Sequence, residues 1–443
     1  MSGRFSMRSA EFESRMKSLL KDRYPEYEAA IQLNPVRGFR LNRLKCTEEE
    51  LRGYLDFDWK KNPYAKDSWV LPDEVKLYES MAYECGLFYV QETSASLAVE
   101  VLDPRPGMNI LDLCAAPGSK STQIAERMNH EGTLISNEYD ASRSLILCEN
   151  MEKHGAANVT VLNSTTGEIA SAFPEFFDAV LVDAPCSGEG MMRKNPEAEA
   201  QWSLSLVHSC AERQAYIISD AYQTLRPGGT LVYSTCTFNE EENEDTLLAF
   251  LAAHPDMHVV PIEEDYPHTL PSAKLPGALR VIPSDIGEGH FVCRMIKDGN
   301  SAGRIPKQMK SGRIPECALS FLKDQLEGTY PYLLEKNGRV YGSTVPFYQC
   351  GKCRIIRSGV LLGEVIKDRF EPSWHFYLSA ALPFRHVIEL NDADRNSYLY
   401  GMTVSLPCDK GWYGVSWNHH MFSGTKSDGR ILKNKYPKRK RRR

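Results

Sequence analysis

A chain of 443 residues, 42% hydrophobic and 25% charged, is too long for one ordinary core and too apolar for wholesale disorder; its length suggests about two to three domains. No apolar run approaches the roughly 18 residues of a membrane span, and the opening Met-Ser-Gly-Arg-Phe-Ser has no apolar signal core, so a cytoplasmic protein is expected. The net charge of −5 hides a division: Arg430 to Arg443 carry nine Lys or Arg and no acid, leaving 44 basic against 58 acidic residues elsewhere.

Residues Met7 to Ile31 space Met16, Leu19, Leu20, Tyr24, Tyr27 and Ile31 at helical intervals, and Pro25 is expected to split them into two helices. Gly38 to Lys45 alternates as a strand does. Thr47 with Glu50 has capping-box spacing for a helix through Tyr54. In this opening α/β extension, expected over residues 1–86, Arg37, Arg40, Asn42 and Lys45 suit phosphate contacts or surface salt bridges equally.

From Phe88 to Ile296 strands and helices alternate. Strands are expected at Asn109 to Leu113, Thr133 to Asn137, Val159 to Leu162, Ala179 to Val182, Leu231 to Thr235 and Phe291 to Ile296. Helices are expected at Gly118 to Met128, Ala141 to His154, Leu204 to Leu225 and Glu240 to His254. That order predicts an α/β domain over residues 87–298 with a doubly wound, mostly parallel, Rossmann-like sheet. Gly, Ser, Pro and Lys then mark a linker over residues 299–314.

Beyond it, short β-type runs at Arg339 to Val345, Arg354 to Val360, His386 to Leu390 and Gly411 to Ser416 accompany helices near Ala318 to Leu326 and Ser373 to Leu382. They predict a small α+β module over residues 315–370, a barrel-like one over 371–430, and a basic tail over 431–443. A basic tail on an acidic body suggests a polyanionic partner, most simply nucleic acid; a solubilising tail is the plainer alternative.

The segment ILDLCAAPGSK, Ile110 to Lys120, reads as a strand, a tight turn of small residues and a helix start. Ala115, Ala116 and Gly118 allow close approach to the backbone, and the helix N-terminus favours a carboxylate or phosphate. Neither the dinucleotide fingerprint nor the spacing of a phosphate-binding loop is present. Glu138, twenty residues past Gly118 and at the end of the next strand, suits hydrogen bonds from ribose hydroxyls. A free ribose fits S-adenosylmethionine, with a generic α/β turn and a surface acid as the plainer reading.

Twelve cysteines lack the regular spacing of a disulfide scaffold, which argues for a reducing compartment. Two of them, Cys186 and Cys236, end apolar strand-like runs, and ligands bind beyond the carboxyl ends of parallel strands. Carbon 5 of a pyrimidine is a poor nucleophile. A thiolate adding to carbon 6 makes the ring enamine-like, so that carbon 5 can attack a methyl sulfonium. Asp183, three residues before Cys186, could stabilise charge developing near ring nitrogen 3. Spacing alone treats the two thiols alike, and burial is the usual fate of a free cysteine.

Three segments carry a resemblance: ILDLCAAPGSKS (Ile110 to Ser121), VDAPCSGEGMMRKNP (Val182 to Pro196) and LVYSTCTFNEEENE (Leu231 to Glu244). With RLN at Arg40, FYVQETSAS at Phe88, Gln214 and GEGHF at Gly287, they resemble the Nop/Sun family of RNA cytosine-5 methyltransferases from about Met7 to Ile296. GWYGVSW at Gly411 and GTKSDGRILKNKYPK at Gly424 resemble the PUA-type C-terminal module of RsmF-like bacterial ribosomal-RNA methyltransferases.

The resemblance implies a class I methyltransferase fold and an S-adenosylmethionine cofactor. It makes Cys236 the nucleophile on carbon 6, Cys186 the residue that promotes product release, and Asp183 a contact to base and methyl donor. The donor is then held by Cys114, Ala115, Ala116, Pro117, Gly118 and Lys120 of the turn, by Glu138 and by Arg143. Asn163 or Thr165 would serve as a neutral substitute where the family usually has an Asp.

Cys350 and Cys353 form one CxxC with no second pair nearby, so no metal site is expected. Asn239 is expected to cap a helix whose acids, Glu240 to Asp245, complement its dipole. Arg193 and Lys194 suit RNA phosphates as well as a solvated loop. Together these readings point to a monomeric methyltransferase acting on an unstacked cytosine of RNA, most simply 16S ribosomal RNA. A transfer-RNA methyltransferase, or a ribosome-assembly factor with an inactive methyltransferase domain, is the alternative; methylation assays on purified rRNA and tRNA separate them.

Overall fold

The computed structural model describes residues 9–442; Met7 and Arg443, the ends of the expected first helix and tail, lie outside the described residues. Helices Ala10–Leu20 and Tyr24–Ala30 meet at a single 3₁₀ turn, with Pro25 in the first turn of the second, where its missing N–H costs no helical bond. The strand Arg37–Leu41 lies between Ser68–Leu71 and Phe88–Gln91 in a four-stranded antiparallel sheet with Lys60–Lys61 outermost. The capping box is formed as expected: Thr47 accepts from the Glu50 N–H, Glu50 accepts from the Thr47 N–H, and the helix is Glu48–Tyr54.

The four residues read as suiting phosphate contacts or surface salt bridges make internal contacts of the fold instead. Arg40 is 1% exposed and ion-paired with Glu126. Asn42 donates to the carbonyls of Gly86 and His154, and Lys45 to those of Cys85 and Lys153. Arg37 donates to the carbonyls of Pro72 and Asp73. Arg40 pairs with a buried acid, and Asn42 and Lys45 satisfy loop carbonyls that would otherwise lack partners.

At the centre of the large sheet is Ile110–Asp112. Leu134–Asn137 and Val159–Asn163 lie in order on one side, and Phe177–Asp183 and Leu225–Thr235 on the other, all parallel. Their side chains alternate between two cores, as the twofold period of a strand demands. Leu111, Val180, Val182, Leu231 and Tyr233 pack with Ile217, Ile218 and Ala221 of helix Leu204–Thr224. Ile110, Ala179, Leu181 and Val232 pack with Ile124 and Met128 of helix Ser119–Met128 and with Leu147 and Met151 of Ala141–His154. Covered on both faces, the sheet directs its strand ends toward one crevice.

Beyond Leu225–Thr235 the antiparallel strands His290–Lys297, Leu279–Val281 and Thr269–Pro271 complete that edge. At the opposite edge, Arg354–Ser358 pairs antiparallel with Val159–Asn163. This strand lies in the segment expected to form a separate α+β module, yet it belongs to the central sheet. It satisfies an edge that would otherwise present unpaired amides.

The rest of that segment forms a four-stranded antiparallel sheet of Tyr332–Lys336, Arg339–Ser343, Val360–Ile366 and Arg369–Pro372; the last of these strands crosses position 371. Five strands then form the C-terminal sheet, with Gly411–Trp417 and His420–Ser427 at its centre. One apolar cluster joins this sheet to the N-terminal one: Phe39, Leu41 and Trp69 share it with Tyr398, Val415 and Phe422. The tail lies on the same side, where Tyr436 donates to Glu84, Arg439 pairs with Glu149 and Arg442 donates to the Glu79 carbonyl.

Candidate active site

Phe177–Asp183 and Leu225–Thr235 are adjacent parallel strands in which Asp183 pairs with Ser234. The loops leaving them hold Cys186 and Cys236, whose Sγ atoms are 3.2 Å apart. Asp183 accepts from Lys120 Nζ at 2.7 Å and from Ser234 Oγ at 2.8 Å. The structure therefore brings the three expected catalytic side chains and the lysine of the turn to one crevice.

Burial and neighbouring groups set the protonation of the side chains around the crevice. The hydrogen bond with Cys236, together with burial, pushes the Cys186 thiol well up, so it keeps its proton beside the other sulfur. Burial also pushes Cys114 up, which leaves that third cysteine an inert thiol. Burial opposes ionisation of Asp183, but Lys120, His290 and two hydrogen bonds outweigh it and hold its carboxyl below the ordinary range. Burial with only a serine partner, Ser121, pushes Asp112 up to about 7.

The turn from Cys114 to Gly118 is braced from several sides. Ala115 donates to the Asn137 carbonyl, Arg143 to that of Ala116 and Asn150 to that of Pro117. Gly118 has φ +112 before helix Ser119–Met128, and a Cβ there would meet Leu147 at 3.2 Å, so glycine fits the turn best. Glu138 ends the next strand, 6% exposed, with Arg143 Nη1 at 3.7 Å. Asn163 donates to the carbonyls of Glu138 and Tyr139. Thr165 is exposed and caps helix Thr166–Ala172, accepting from the Glu168 N–H.

Several residues that shape the crevice lie in the segments that carry the resemblance but were given no role from the sequence. The acids read as dipole-complementing begin with a π-helical turn, Glu241–Asp245, which turns Glu242 and Glu244 fully inward. Glu242 accepts from the Ser187 N–H at 3.0 Å, from Gln214 at 2.9 Å and from Asn239 at 2.7 Å, while Gln214 also donates to the Pro185 carbonyl. That network ties the Cys186 loop to the Cys236 loop. Gln214, already part of the resemblance, interrupts the apolar face formed by Val207, Cys210, Ile217 and Ile218. His290, buried at the start of the last long strand, has its Nε2 3.8 Å from Asp183 and no hydrogen-bond partner for it among the described residues.

Other expected contacts fall elsewhere. The Arg193 guanidinium is 1% exposed and pairs with Glu288 at 2.8 Å, leaving only exposed Lys194 free to meet solvent. Cys350 and Cys353 pack into the core beneath the sheet. Among the described residues, potential metal ligands cluster at Glu50, His419 and His420, where His419 Nε2 and Glu50 Oε1 are 3.0 Å apart.

A doubly wound parallel sheet with a small-residue turn after its central strand, an acid ending the next, and side chains converging beyond the strand ends defines a Rossmann-like methyltransferase fold. Family descriptions cover nearly the whole chain. The N-terminal domain of 16S rRNA methyltransferase RsmF matches residues 9–93, and 16S rRNA methyltransferase RsmB/F matches 99–296. The RsmF first C-terminal domain matches 320–379 and the RsmF PUA domain 385–442.

Ribosomal RNA small subunit methyltransferase F of Shigella dysenteriae is 32% identical over 94% of this chain and 92% of its own length; that of Escherichia coli O139:H28 is 32% identical with the same coverage. The chain belongs to the RsmF family of 16S rRNA methyltransferases. Among solved structures, a methyltransferase homologue from Pyrococcus horikoshii superimposes with a TM-score of 0.59 and 28% identity, over 66% of this chain and 96% of the other. NSun6 from the same organism, solved with SFG, shares the fold with a TM-score of 0.59 and 20% identity, over 67% of this chain and all of the other.

Among the described residues no helix is long and apolar enough to cross a membrane.

Proposed function

We propose that this protein transfers a methyl group from S-adenosylmethionine to carbon 5 of a cytosine in small-subunit ribosomal RNA, through a covalent adduct at Cys236. One observation carries the cytosine chemistry: two thiols 3.2 Å apart beyond neighbouring strand ends, with Asp183 and Lys120 in the same crevice. Such a pair answers the two demands of the reaction, a sulfur nucleophile and a proton held beside it.

The residues present fit the donor. Small side chains line the turn, the inner oxygen of Asp112 lacks a partner, and the Glu138 carboxylate ends the strand where ribose hydroxyls are received in this fold. Cys114, Ala115, Ala116, Pro117, Gly118 and Lys120 would hold its amino-acid end, Glu138 its ribose, and Arg143, Asp183 and Asn163 or Thr165 the remainder. When bound, it supplies a methyl group on a sulfonium.

Cys236 would then add its thiolate to carbon 6, opening the carbon 5–carbon 6 double bond, with Asp183 and Lys120 facing the charge that develops on the ring. Carbon 5 takes the methyl group. The carbon 5 proton passes to water as the double bond re-forms and the sulfur of Cys236 leaves with its bonding electron pair. Cys186, protonated and adjacent, stands ready to give that departing thiolate a proton.

The deciding experiment compares small-subunit RNA with transfer RNA as acceptors of labelled methyl, followed by bisulfite sequencing of the acceptor. Incorporation into 16S rRNA at a bisulfite-resistant cytosine is expected. Methyl on any other atom ends the reading.

Asp183 also makes the rate depend on pH in a defined direction. A carboxyl held low stays charged above its folded pKa and loses that charge as pH falls through it. Lys120→Met removes the neighbouring ammonium and leaves burial in place, which raises that point. With donor saturating, the acid limb of the pH–rate profile should move to higher pH; an unmoved limb would remove Asp183 ionisation from the rate.

A further inference from the structure

On the outer side of the donor turn, Tyr78, Tyr83, Phe88, Tyr89, Pro117 and Lys153 help line a concavity of about 300 Å³. We propose that this concavity is a second RNA subsite, taking one unpaired nucleotide of the substrate with its base against Tyr78 and Tyr83 and its phosphate toward Lys153. The proposal rests on the reading that RNA is the substrate and goes beyond it, because the concavity contains none of the residues assigned to the reacting cytosine.

Three observations converge on a nucleotide. First, the wall is aromatic and open to solvent: Tyr78 is 53% exposed, and it meets Tyr83 edge to face at 5.0 Å. Base–aromatic stacking tolerates every base, because every base has a π-face. Second, Lys153 Nζ lies 2.9 Å from the centre of the Tyr83 ring. Burial pushes that ammonium down to about 7, Glu84 resists, and Lys440 and Lys45 push further, so a phosphate arriving beside it would favour its charged form.

Third, the basic tail borders the same side. Lys440 is among the charges felt by Lys153, and Arg442 donates to the carbonyl of Glu79, next to Tyr78. Of the nearby acids, Glu149 is paired with Arg439 and Glu84 accepts from the Tyr436 hydroxyl, while Glu79 is exposed at the rim. Aromatic faces beneath a cationic rim are the combination that single-stranded RNA requires. Behind the wall, Asn150 holds the Pro117 carbonyl and lies 3.5 Å from the Tyr89 hydroxyl, so the subsite and the donor turn share a support.

The test uses the full chain and a five-nucleotide single-stranded oligoribonucleotide with a central 2-aminopurine. Its fluorescence should be quenched on binding. Tyr78→Ala should bind about tenfold more weakly, equivalent to about 1.4 kcal/mol, while Tyr78→Phe stays within about twofold because the ring remains. Lys153→Met should lower the slope of log affinity against log salt by about 0.7, the value of one single-strand phosphate contact. With small-subunit RNA, Tyr78→Ala should raise KM and leave kcat at saturation unchanged.

Equal affinity of the parent and Tyr78→Ala, in a parent that methylates RNA, overturns the subsite and leaves the methyltransferase reading intact. AMP binding as tightly as the oligonucleotide overturns it in favour of a free-nucleotide site. A parent that neither binds nor methylates RNA overturns both.

Discussion

Cys186→Ala is expected to stall with RNA attached to the protein through Cys236, whereas Cys236→Ala should form no adduct and lose methyl transfer by at least about 10³-fold. The asymmetry follows from the roles proposed for the two sulfurs. Cys186 is the thiol that burial and its neighbour keep protonated, and it sits within contact of the sulfur that must leave. Without it, addition and methylation can proceed, but expulsion of the Cys236 thiolate loses its adjacent proton. Denaturing gels of labelled RNA report the adduct, and methyl incorporation reports turnover. Normal turnover by Cys186→Ala, or an adduct that survives in Cys236→Ala, would show that the roles are wrongly divided.

Arg193→Met is expected to cost about 3–5 kcal/mol of folding stability, the range for removing one partner of a buried ion pair. Arg193 is held by Glu288 and by the carbonyls of Ala30, Ser284 and Gly287, and Glu288 in turn accepts from the Val36 N–H. Removing the guanidinium leaves a buried carboxylate whose pKa burial already raises, and it unties the N-terminal helices from the crevice edge. Its exposed neighbour provides the control: Lys194→Met should stay within about 0.5 kcal/mol. Urea unfolding measures both. An Arg193→Met protein of unchanged stability but weakened RNA affinity would return this arginine to the role of a phosphate contact.

Elements whose signals are local could be read from the sequence. Strand alternation, the Pro25 break, the Thr47–Glu50 box and the small-residue turn all appear where their residue patterns place them, because each depends on neighbours within a few positions. Contacts distant in sequence could not be read this way. Nothing local tells Glu242 from an ordinary first-turn acid, and only the pairing of Phe177–Asp183 with Leu225–Thr235 turns it toward Ser187 and Gln214. The 3.2 Å separation of Cys186 and Cys236 likewise depends on two strands being neighbours. Arg40 and Arg193 misled for a related reason: a basic residue looks the same in a sequence whether it faces a phosphate or a buried acid.

The pairing of Arg354–Ser358 with Val159–Asn163 ties the catalytic sheet to the segment that also forms the four-stranded sheet of Tyr332–Lys336, Arg339–Ser343, Val360–Ile366 and Arg369–Pro372. Removing the residues after the 299–314 linker would expose the amides of Val159–Asn163 along that edge and invite edge-to-edge aggregation.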